Sequence, residues 1–175
     1  SAFGRGWSLL PFSLAVEQTK TAPNADVEIA QKATLIDRQA GAALPYTLSK
    51  EDPFVAQASE PTAVARYRKV SSPAQPGLRA RAGGGYVATF AHGFQVAFDA
   101  AGRLEWMGRP AGPKVEYVFD GGRLSEVRCG AARIAIAYDE QGRPAGATAP
   151  GGGEVKYGLD AAGRLVSVSG SEAGQ

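Results

Sequence analysis

The fold is decided by a stretch near the middle of the chain, Phe94-Gln-Val-Ala-Phe-Asp-Ala-Ala-Gly-Arg-Leu104, and by three later copies of the same pattern. Those copies read Val115-Glu-Tyr-Val-Phe-Asp-Gly-Gly-Arg-Leu124, Ile134-Ala-Ile-Ala-Tyr-Asp-Glu-Gln-Gly-Arg-Pro144 and Val155-Lys-Tyr-Gly-Leu-Asp-Ala-Ala-Gly-Arg-Leu165. In each copy an alternating apolar run ends at an Asp, and a Gly-Arg pair follows. Successive arginines of these pairs are separated by 20, 20 and 21 residues. A fixed period of this length predicts a repeat architecture.

The apolar residues of each copy predict a half-buried strand. Phe94, Val96 and Phe98 occupy every second position, and alternate side chains of a strand point to the same face. The other three copies keep this spacing, with mostly polar or small residues in between. One face of the sheet is therefore expected to be buried and the other to be wet, which is typical of antiparallel sheets.

The Asp and the Gly of each copy predict a hairpin turn. An Asp carboxylate accepts a hydrogen bond from a backbone N–H two residues on, and Gly supplies the positive φ that closes the hairpin. Asp-x-x-Gly fits a type I turn followed by a left-handed Gly, whereas the second copy is one residue shorter and fits a primed two-residue turn or a near variant. The predicted turn residues are Asp99, Gly102, Arg103, Asp120, Gly122, Arg123, Asp139, Gly142, Arg143, Asp160, Gly163 and Arg164.

The strands that return from these turns have a different spacing. Leu104 and Met107 lie three positions apart rather than two, and the second and fourth copies repeat this spacing. It predicts a bulge or a strong twist directly after the turn. The third copy breaks the pattern with Pro144 and Gly146, so we expect its hairpin to be the weakest.

The repeated aspartates have two further interpretations. They could be calcium ligands, but the Gly-Arg pair puts a cation where a metal would need another oxygen, so turn formation is favoured. They could instead pair with the arginines of adjacent repeats and form a ladder along one rim. Exposed ion pairs of this kind stabilise a fold by only about 0–1 kcal/mol each.

The first half of the chain is less regular. Residues 1–16 predict one or two strands, and Val27–Asp37 fits either a short helix or strands, with the turn from Asp37 to Gly41 favouring strands. Four prolines between residues 49 and 76 predict an excursion that wraps over the sheet. We divide the chain into an N-terminal segment that starts or caps the sheet, a repeat sheet and a flexible tail, at residues 1–84, 85–170 and 171–175.

The four copies resemble the YD repeat of the Rhs family, which is named for a Tyr-Asp pair. The corresponding pairs are Phe98-Asp99, Phe119-Asp120, Tyr138-Asp139 and Leu159-Asp160, so only the third copy contains an actual Tyr-Asp pair. The N-terminal stretch Phe3-Gly-Arg-Gly-Trp-Ser8 is similar to the segment with which many Rhs cores begin. The resemblance implies an all-β fold, in which antiparallel hairpins form a curved, open sheet or a partial barrel or shell.

The resemblance also implies a role. Long Rhs proteins wind many hairpins into a hollow shell around a toxin or effector, so the expected function is a non-catalytic scaffold of a bacterial secreted or cell-surface protein. Four repeats cannot close a shell, so the expected partners are other subunits or the remainder of a larger polypeptide, with an enclosed effector or a surface glycan as further candidates. Rhs proteins that release a toxin carry an Asp-Pro-x-Gly autoprotease motif. Here Asp52-Pro53 is followed by Phe54, so this processing centre is not expected.

Composition and charge disfavour several function classes. A net charge of +2 argues against nucleic-acid binding, and no stretch is apolar or long enough to predict a membrane span. The single cysteine, Cys129, is expected to be a partly packed loop residue, and the single histidine, His92, a surface turn residue. No catalytic motif and no His or Cys cluster occurs in the sequence, so neither an enzymatic activity nor a metal or other cofactor is expected.

Two rival functions remain from the sequence. The first is a small extracellular carbohydrate- or protein-binding module, whose binding face would carry the aromatic residues Trp7, Tyr86 and Trp106. The second is an enzyme with a site built from scattered carboxylates that would have to converge in one pocket, for example Glu105, Asp120 and Glu126.

Overall fold

The computed structural model of the chain describes residues 9–21, 28–48, 63–69 and 76–171. This part of the chain contains fourteen strands, one 3₁₀ turn at Ala91–Gly93 and no α-helix. The strands are β1 (Phe12–Thr21), β2 (Glu28–Asp37), β3 (Ala42–Leu48), β4 (Ala63–Lys69), β5 (Gly77–Arg81), β6 (Tyr86–Thr89), β7 (Gln95–Phe98), β8 (Leu104–Gly108), β9 (Lys114–Asp120), β10 (Arg123–Cys129), β11 (Ala132–Tyr138), β12 (Pro144–Thr148), β13 (Glu154–Leu159) and β14 (Leu165–Ser171).

The strands follow one another as antiparallel hairpins. A first unit, Leu10–Gly112, holds β1–β8, and a second unit, from Pro113 on, holds β9–β14. Within each unit, every strand pairs antiparallel with its neighbours in the sequence. Among the described strands of a unit, no ladder joins the first strand to the last. The predicted all-β fold with an open antiparallel sheet is therefore confirmed.

The first half of the chain departs from its prediction at β4. This strand lies inside the predicted Pro-rich excursion, yet it pairs with both β3 and β5. The prolines do not interrupt this strand, because all prolines of this region, Pro61 and Pro73 among them, lie outside Ala63–Lys69. The remainder of the excursion, residues 49–62 and 70–75, lies outside the described residues. The predicted division of the chain after residue 84 stays a prediction.

The ambiguity over Val27–Asp37 is settled in favour of strands. Its described residues form β2, and Asp37 ends this strand at a tight turn. The Oδ1 atom of Asp37 accepts hydrogen bonds from the N–H groups of Gln39 and Ala40, at 3.0 and 2.9 Å. This is the local bonding that makes Asp a good turn residue.

The core of the first unit is built from rows of cross-strand neighbours. One row runs through Ala80, Tyr86, Phe98 and Leu104, each of which is at most 1% exposed. Full burial of a side chain such as Phe or Leu stabilises a fold by roughly 1.5–3 kcal/mol. The first of the four sequence copies thus supplies two members of this row.

The hydroxyl groups of two buried tyrosines form hydrogen bonds inside this unit. The Tyr46 hydroxyl donates a hydrogen bond to the Pro76 carbonyl at 2.8 Å, and burial raises the pKa of Tyr46 to about 12. The Tyr86 hydroxyl accepts a bond from the Ala30 N–H at 2.9 Å. Because a buried polar group without a partner is costly, these bonds allow tyrosine where phenylalanine would otherwise be expected.

Strand β1 is hydrogen-bonded to the first repeat turn. The Leu14 N–H donates to the Gly102 carbonyl at 3.0 Å. Gly102 is buried with φ of +83°, and a Cβ atom at this position would run into the Leu14 carbonyl. Two features therefore require glycine at residue 102. One is the left-handed backbone conformation, and the other is the close approach of β1.

Each strand that returns from a repeat turn contains one extra residue directly after the turn. The extra residues are Glu105, Ser125, Ala145 and Val166. The bulge explains the spacing in the sequence, since Leu104 pairs with Phe98 and Met107 pairs with Val96, so both stay on the same face. The predicted bulge after the turn is confirmed.

The sheet of the second unit has one apolar and one polar face. Tyr117, Val127 and Ile134 are neighbours on the apolar face. The charged residues Glu116, Arg128 and Arg133 are neighbours on the other face. Burial of the apolar face is incomplete, because the side chains of Ile134 and Val168 are 43% and 59% exposed.

Truncation of the first unit's core should be costly. Leu35 lies on β2 and is 0% exposed, so Leu35→Ala should lower the free energy of unfolding by about 2–5 kcal/mol. Lys32→Ala, at an exposed position of the same strand, should change it by less than about 0.5 kcal/mol. Urea titrations followed by circular dichroism measure both. Equal effects of the two substitutions would contradict this account of the core.

Candidate functional site

The turns of the first, third and fourth repeats share one arrangement of side chain and backbone, which we call the Asp–Arg clamp. Its residues are Asp99 and Arg103, Asp139 and Arg143, and Asp160 and Arg164. In each turn, Asp Oδ1 accepts the N–H of the Arg four residues later at 2.8–2.9 Å. Asp Oδ2 accepts the Nε–H of the same Arg at 2.6–2.8 Å. One carboxylate thus binds both the backbone and the side chain of one arginine.

The clamp closes a five-residue turn whose backbone is itself hydrogen-bonded. In the fourth repeat, the Gly163 N–H donates to the Asp160 carbonyl and the Asp160 N–H to the Arg164 carbonyl, both at 2.9 Å. The first and third repeats form the same pair of bonds. This geometry corrects the alternative in which each Asp pairs with an Arg of an adjacent repeat. The reversal at the left-handed Gly brings the Arg of the same repeat next to the Asp. The Asp therefore does not need an Arg from a neighbouring repeat as its partner.

The second repeat has no such clamp in the structure. Its turn is one residue shorter, and Asp120 faces Arg123 directly across the hairpin. The Arg123 guanidinium lies over the ring of Tyr138 instead, 5.7 Å from its centroid. The Tyr138 hydroxyl donates back to the Leu124 carbonyl at 2.7 Å. This arginine therefore contacts the following repeat rather than its own Asp.

The opposite ends of the hairpins carry turns without the clamp. Residues Ala149–Gly153 form the same two backbone hydrogen bonds as a repeat turn, but they have neither the Asp nor the Arg. The clamp is therefore not needed to make the turn itself. In the second unit, the clamps give one rim of the sheet paired charges, whereas the rim that holds Ala149–Gly153 is glycine-rich.

The comparison with known families matches the end of the chain. Residues 138–174 match the family described as RHS Repeat. This part of the chain is similar to an RHS repeat. The Rhs assignment made from the four copies is thereby confirmed, and the matched range includes the Asp–Arg clamps of Asp139 and Asp160. No curated protein sequence matches the chain.

The residues proposed as binding aromatics lie in different environments. Tyr86 is 1% exposed and bonded to Ala30, so its ring belongs to the core and is not available for a ligand. This corrects its assignment to a binding face. Trp106 lies on β8 opposite Ala97 and is half-buried. Trp7 lies outside the described residues.

The three carboxylates that were proposed for an enzyme site lie in separate environments. Glu105 is the extra residue of the first bulge and lies 2.6 Å from the guanidinium of Arg81. Glu126 binds its own-strand neighbour Arg128 at 2.8 Å. Asp120 is an exposed turn residue. No contact that the structure describes joins any two of these three carboxylates.

Arg81 is a structural residue that the sequence analysis missed. Its guanidinium donates to the Phe98 carbonyl at 3.0 Å and to Glu105, and so ties β5 to the first repeat. The residues from Arg81 to Gly85 form the same backbone turn as the repeats, with Arg81 at the position of the Asp. The glycine run after Arg81 could have indicated this turn, but only the fold shows the acceptors.

The described ranges also bear on metal binding and on the membrane. No group of three or more His, Cys, Asp or Glu side chains there could hold a metal ion. No helix among these residues is long and apolar enough to cross a membrane. His92 is exposed at φ of +59°, and Cys129 is an exposed free thiol rather than the partly packed residue expected.

The clamps of the third and fourth repeats lower the pKa of their carboxyl groups, Asp139 and Asp160. For Asp139, the hydrogen bond from the Arg143 N–H is the main cause, and the Arg143 side chain adds to it. Asp160 is held below its ordinary pKa in the same way by Arg164. A carboxyl group with a lowered pKa in the folded state stabilises the fold above its unfolded pKa, and this contribution is lost as the pH falls through the folded value.

Acid should therefore weaken the clamped turns. The unfolded pKa of Asp is about 3.9, so the melting temperature should fall as the pH drops below about 4. Asp139→Asn combined with Asp160→Asn should lower the melting temperature at pH 7, and the difference from the native chain should shrink in acid. Glu140→Gln, which alters an exposed carboxylate of the same turn, is the matched control. Thermal melts across pH test this, and a difference that is constant with pH would contradict it.

Proposed function

We propose that the chain is a non-catalytic structural YD-repeat scaffold of a bacterial secreted or cell-surface Rhs-type protein, in which it serves as a shell-building or assembly subunit. The family match supports the Rhs-type assignment. The scaffold role rests on one feature of the second unit, which is an ordered repeat sheet with an incompletely covered apolar face.

That face has a groove of about 560 Å³ among strands β10–β14. Its lining is mainly apolar, with Ile134, Ile136, Val155 and Tyr157 among the side chains. A sheet normally buries its apolar face against a second layer of structure. The groove therefore favours association with another layer, which in this proposal is another part of the shell or an enclosed effector.

The edge of the sheet supports the same role. Strand β14 pairs only with β13 among the described strands, and its sequence, Leu165-Val-Ser-Val-Ser-Gly-Ser171, contains no charge and no proline. Isolated proteins usually protect exposed edges with charges, prolines or bulges, and the one bulge of β14, at Val166, lies at the start of the strand. An edge of this composition suits the addition of a further strand.

The proposed absence of catalysis rests on how the carboxylates are used. Glu105 and Glu126 each bind an arginine, and the aspartates of the clamps close turns. Each of these carboxylates thus has a structural partner close to it in the fold. The alternative function, a binding module, cannot use Tyr86, because this residue is buried in the core. Among the described residues, Trp106 is the remaining aromatic candidate for a binding face.

Association through the apolar face should depend on which face of β14 is altered. Val168 and Ser169 are adjacent and exposed, and they point to opposite faces of the sheet. We expect the native chain to gain mass with concentration in light-scattering chromatography. Val168→Lys should shift it towards the monomer, because a charge then has to be buried on the apolar face. Ser169→Lys is the matched control and should have little effect.

Two outcomes would contradict the assembly role. One is a native chain that stays monomeric at every concentration. The other is an equal effect of Val168→Lys and Ser169→Lys, which would point to the strand edge or to folding rather than to the apolar face.

A further inference from the structure

The second repeat uses its arginine differently from the other three. Arg103, Arg143 and Arg164 are each held by the Asp of their own turn at 2.6–2.8 Å. Arg123 follows a turn that is one residue shorter, and it lies over the Tyr138 ring at 5.7 Å. A guanidinium within about 6 Å of an aromatic centroid is attracted to the face of the ring.

The guanidinium also occupies the space beside a turn glycine of the third repeat. A Cβ atom built on Gly142 would lie 2.5 Å from Arg123 Cζ and 2.7 Å from Nη1. Both distances are far inside van der Waals contact, so a side chain at residue 142 would displace the Arg123 guanidinium from this position. Gly142 also has φ of +73°, which favours glycine independently.

A second bond returns from the third repeat to the second. The Tyr138 hydroxyl donates to the Leu124 carbonyl at 2.7 Å, which fixes the ring next to the residue that follows Arg123. The ring is thus held by the second repeat and covered by its arginine. Together these contacts tie the turn of one repeat to the turn of the next.

We propose that Arg123 is the positioning residue that sets the third repeat against the second, and that the short Asp120-Gly-Gly-Arg123 turn releases it for this purpose. In a turn of ordinary length the Asp would hold the arginine, as in the other three repeats. Here the arginine packs instead on Tyr138 and in the space left by Gly142. The contact lies within the chain and does not depend on what the scaffold encloses or binds.

The next pair of turns supplies the comparison. A Cβ atom built on Gly163 would lie 3.9 Å from Arg143 Cδ, which is an ordinary contact, and Arg143 remains clamped to Asp139. Gly163 has φ of +73°, the same value as Gly142. The two glycines therefore share the same backbone requirement and differ in the arginine beside them.

A double-mutant cycle separates the two requirements on Gly142. Asn tolerates the left-handed conformation better than most residues but adds a Cβ atom. Gly142→Asn should lower the melting temperature by about 4 °C or more in the native chain, and by clearly less in an Arg123→Ala background. Gly163→Asn is the matched control, and Arg123→Ala should leave its effect unchanged. An equal loss for Gly142→Asn in both backgrounds would overturn the proposal.

A spectroscopic measurement covers the case in which Gly142→Asn does not fold. In the native chain, the side-chain protons of Arg123 next to the guanidinium should be shifted upfield by the Tyr138 ring. Tyr138→Leu should remove this shift, while the Arg143 protons stay unchanged. Arg123 protons at ordinary positions in the folded native chain would overturn the proposal. Both experiments are run at a concentration where the mass is constant, so they are independent of assembly.

Discussion

The structure depends on a chain reversal that is completed in five residues. In this reversal, a left-handed Gly turns the backbone so that the fifth residue faces the first. When these residues are Arg and Asp, one carboxylate binds a backbone N–H and a guanidinium at 2.6–2.9 Å. Each strand that returns from a repeat turn also has one extra residue near its start, after the short second turn as well as after the three longer ones. The bulge keeps the apolar residues of both strands on a single face, as for Leu104 and Met107 opposite Phe98 and Val96.

The two units use that face differently. In the first unit, strands from both halves of the sequence meet, and the row from Ala80 to Leu104 is completely buried. In the second unit, the same pattern of residues forms a face on which Ile134 and Val168 remain exposed. The repeat thus provides an apolar surface in both units, and this surface is covered to different extents. Under the proposed scaffold role, the remaining contacts of this surface would come from other parts of an assembly.

Removing one residue from a turn changes what its arginine does. In the three longer turns the arginine is bound by the Asp of its own repeat. In the short second turn, Arg123 packs against Tyr138 and beside Gly142 of the next repeat. Repeat arrays are stabilised by contacts within repeats and between neighbours. The sequence of one turn thereby shifts the balance between these two kinds of contact.

The sequence by itself determined the strands of the four repeats, their turns and their bulges, because these follow from the alternation of side chains and from the backbone preferences of Asp and Gly over five to ten residues. It also carried the Rhs resemblance. Only the tertiary structure decided the partners of Arg81, Tyr86 and Arg123, since each bonds or packs against residues that folding brings in from other strands. For the same reason, β4 and the burial of Tyr86 differed from expectation. Pairing with a neighbouring strand and enclosure in a core depend on distant residues, and local sequence spacing does not encode them.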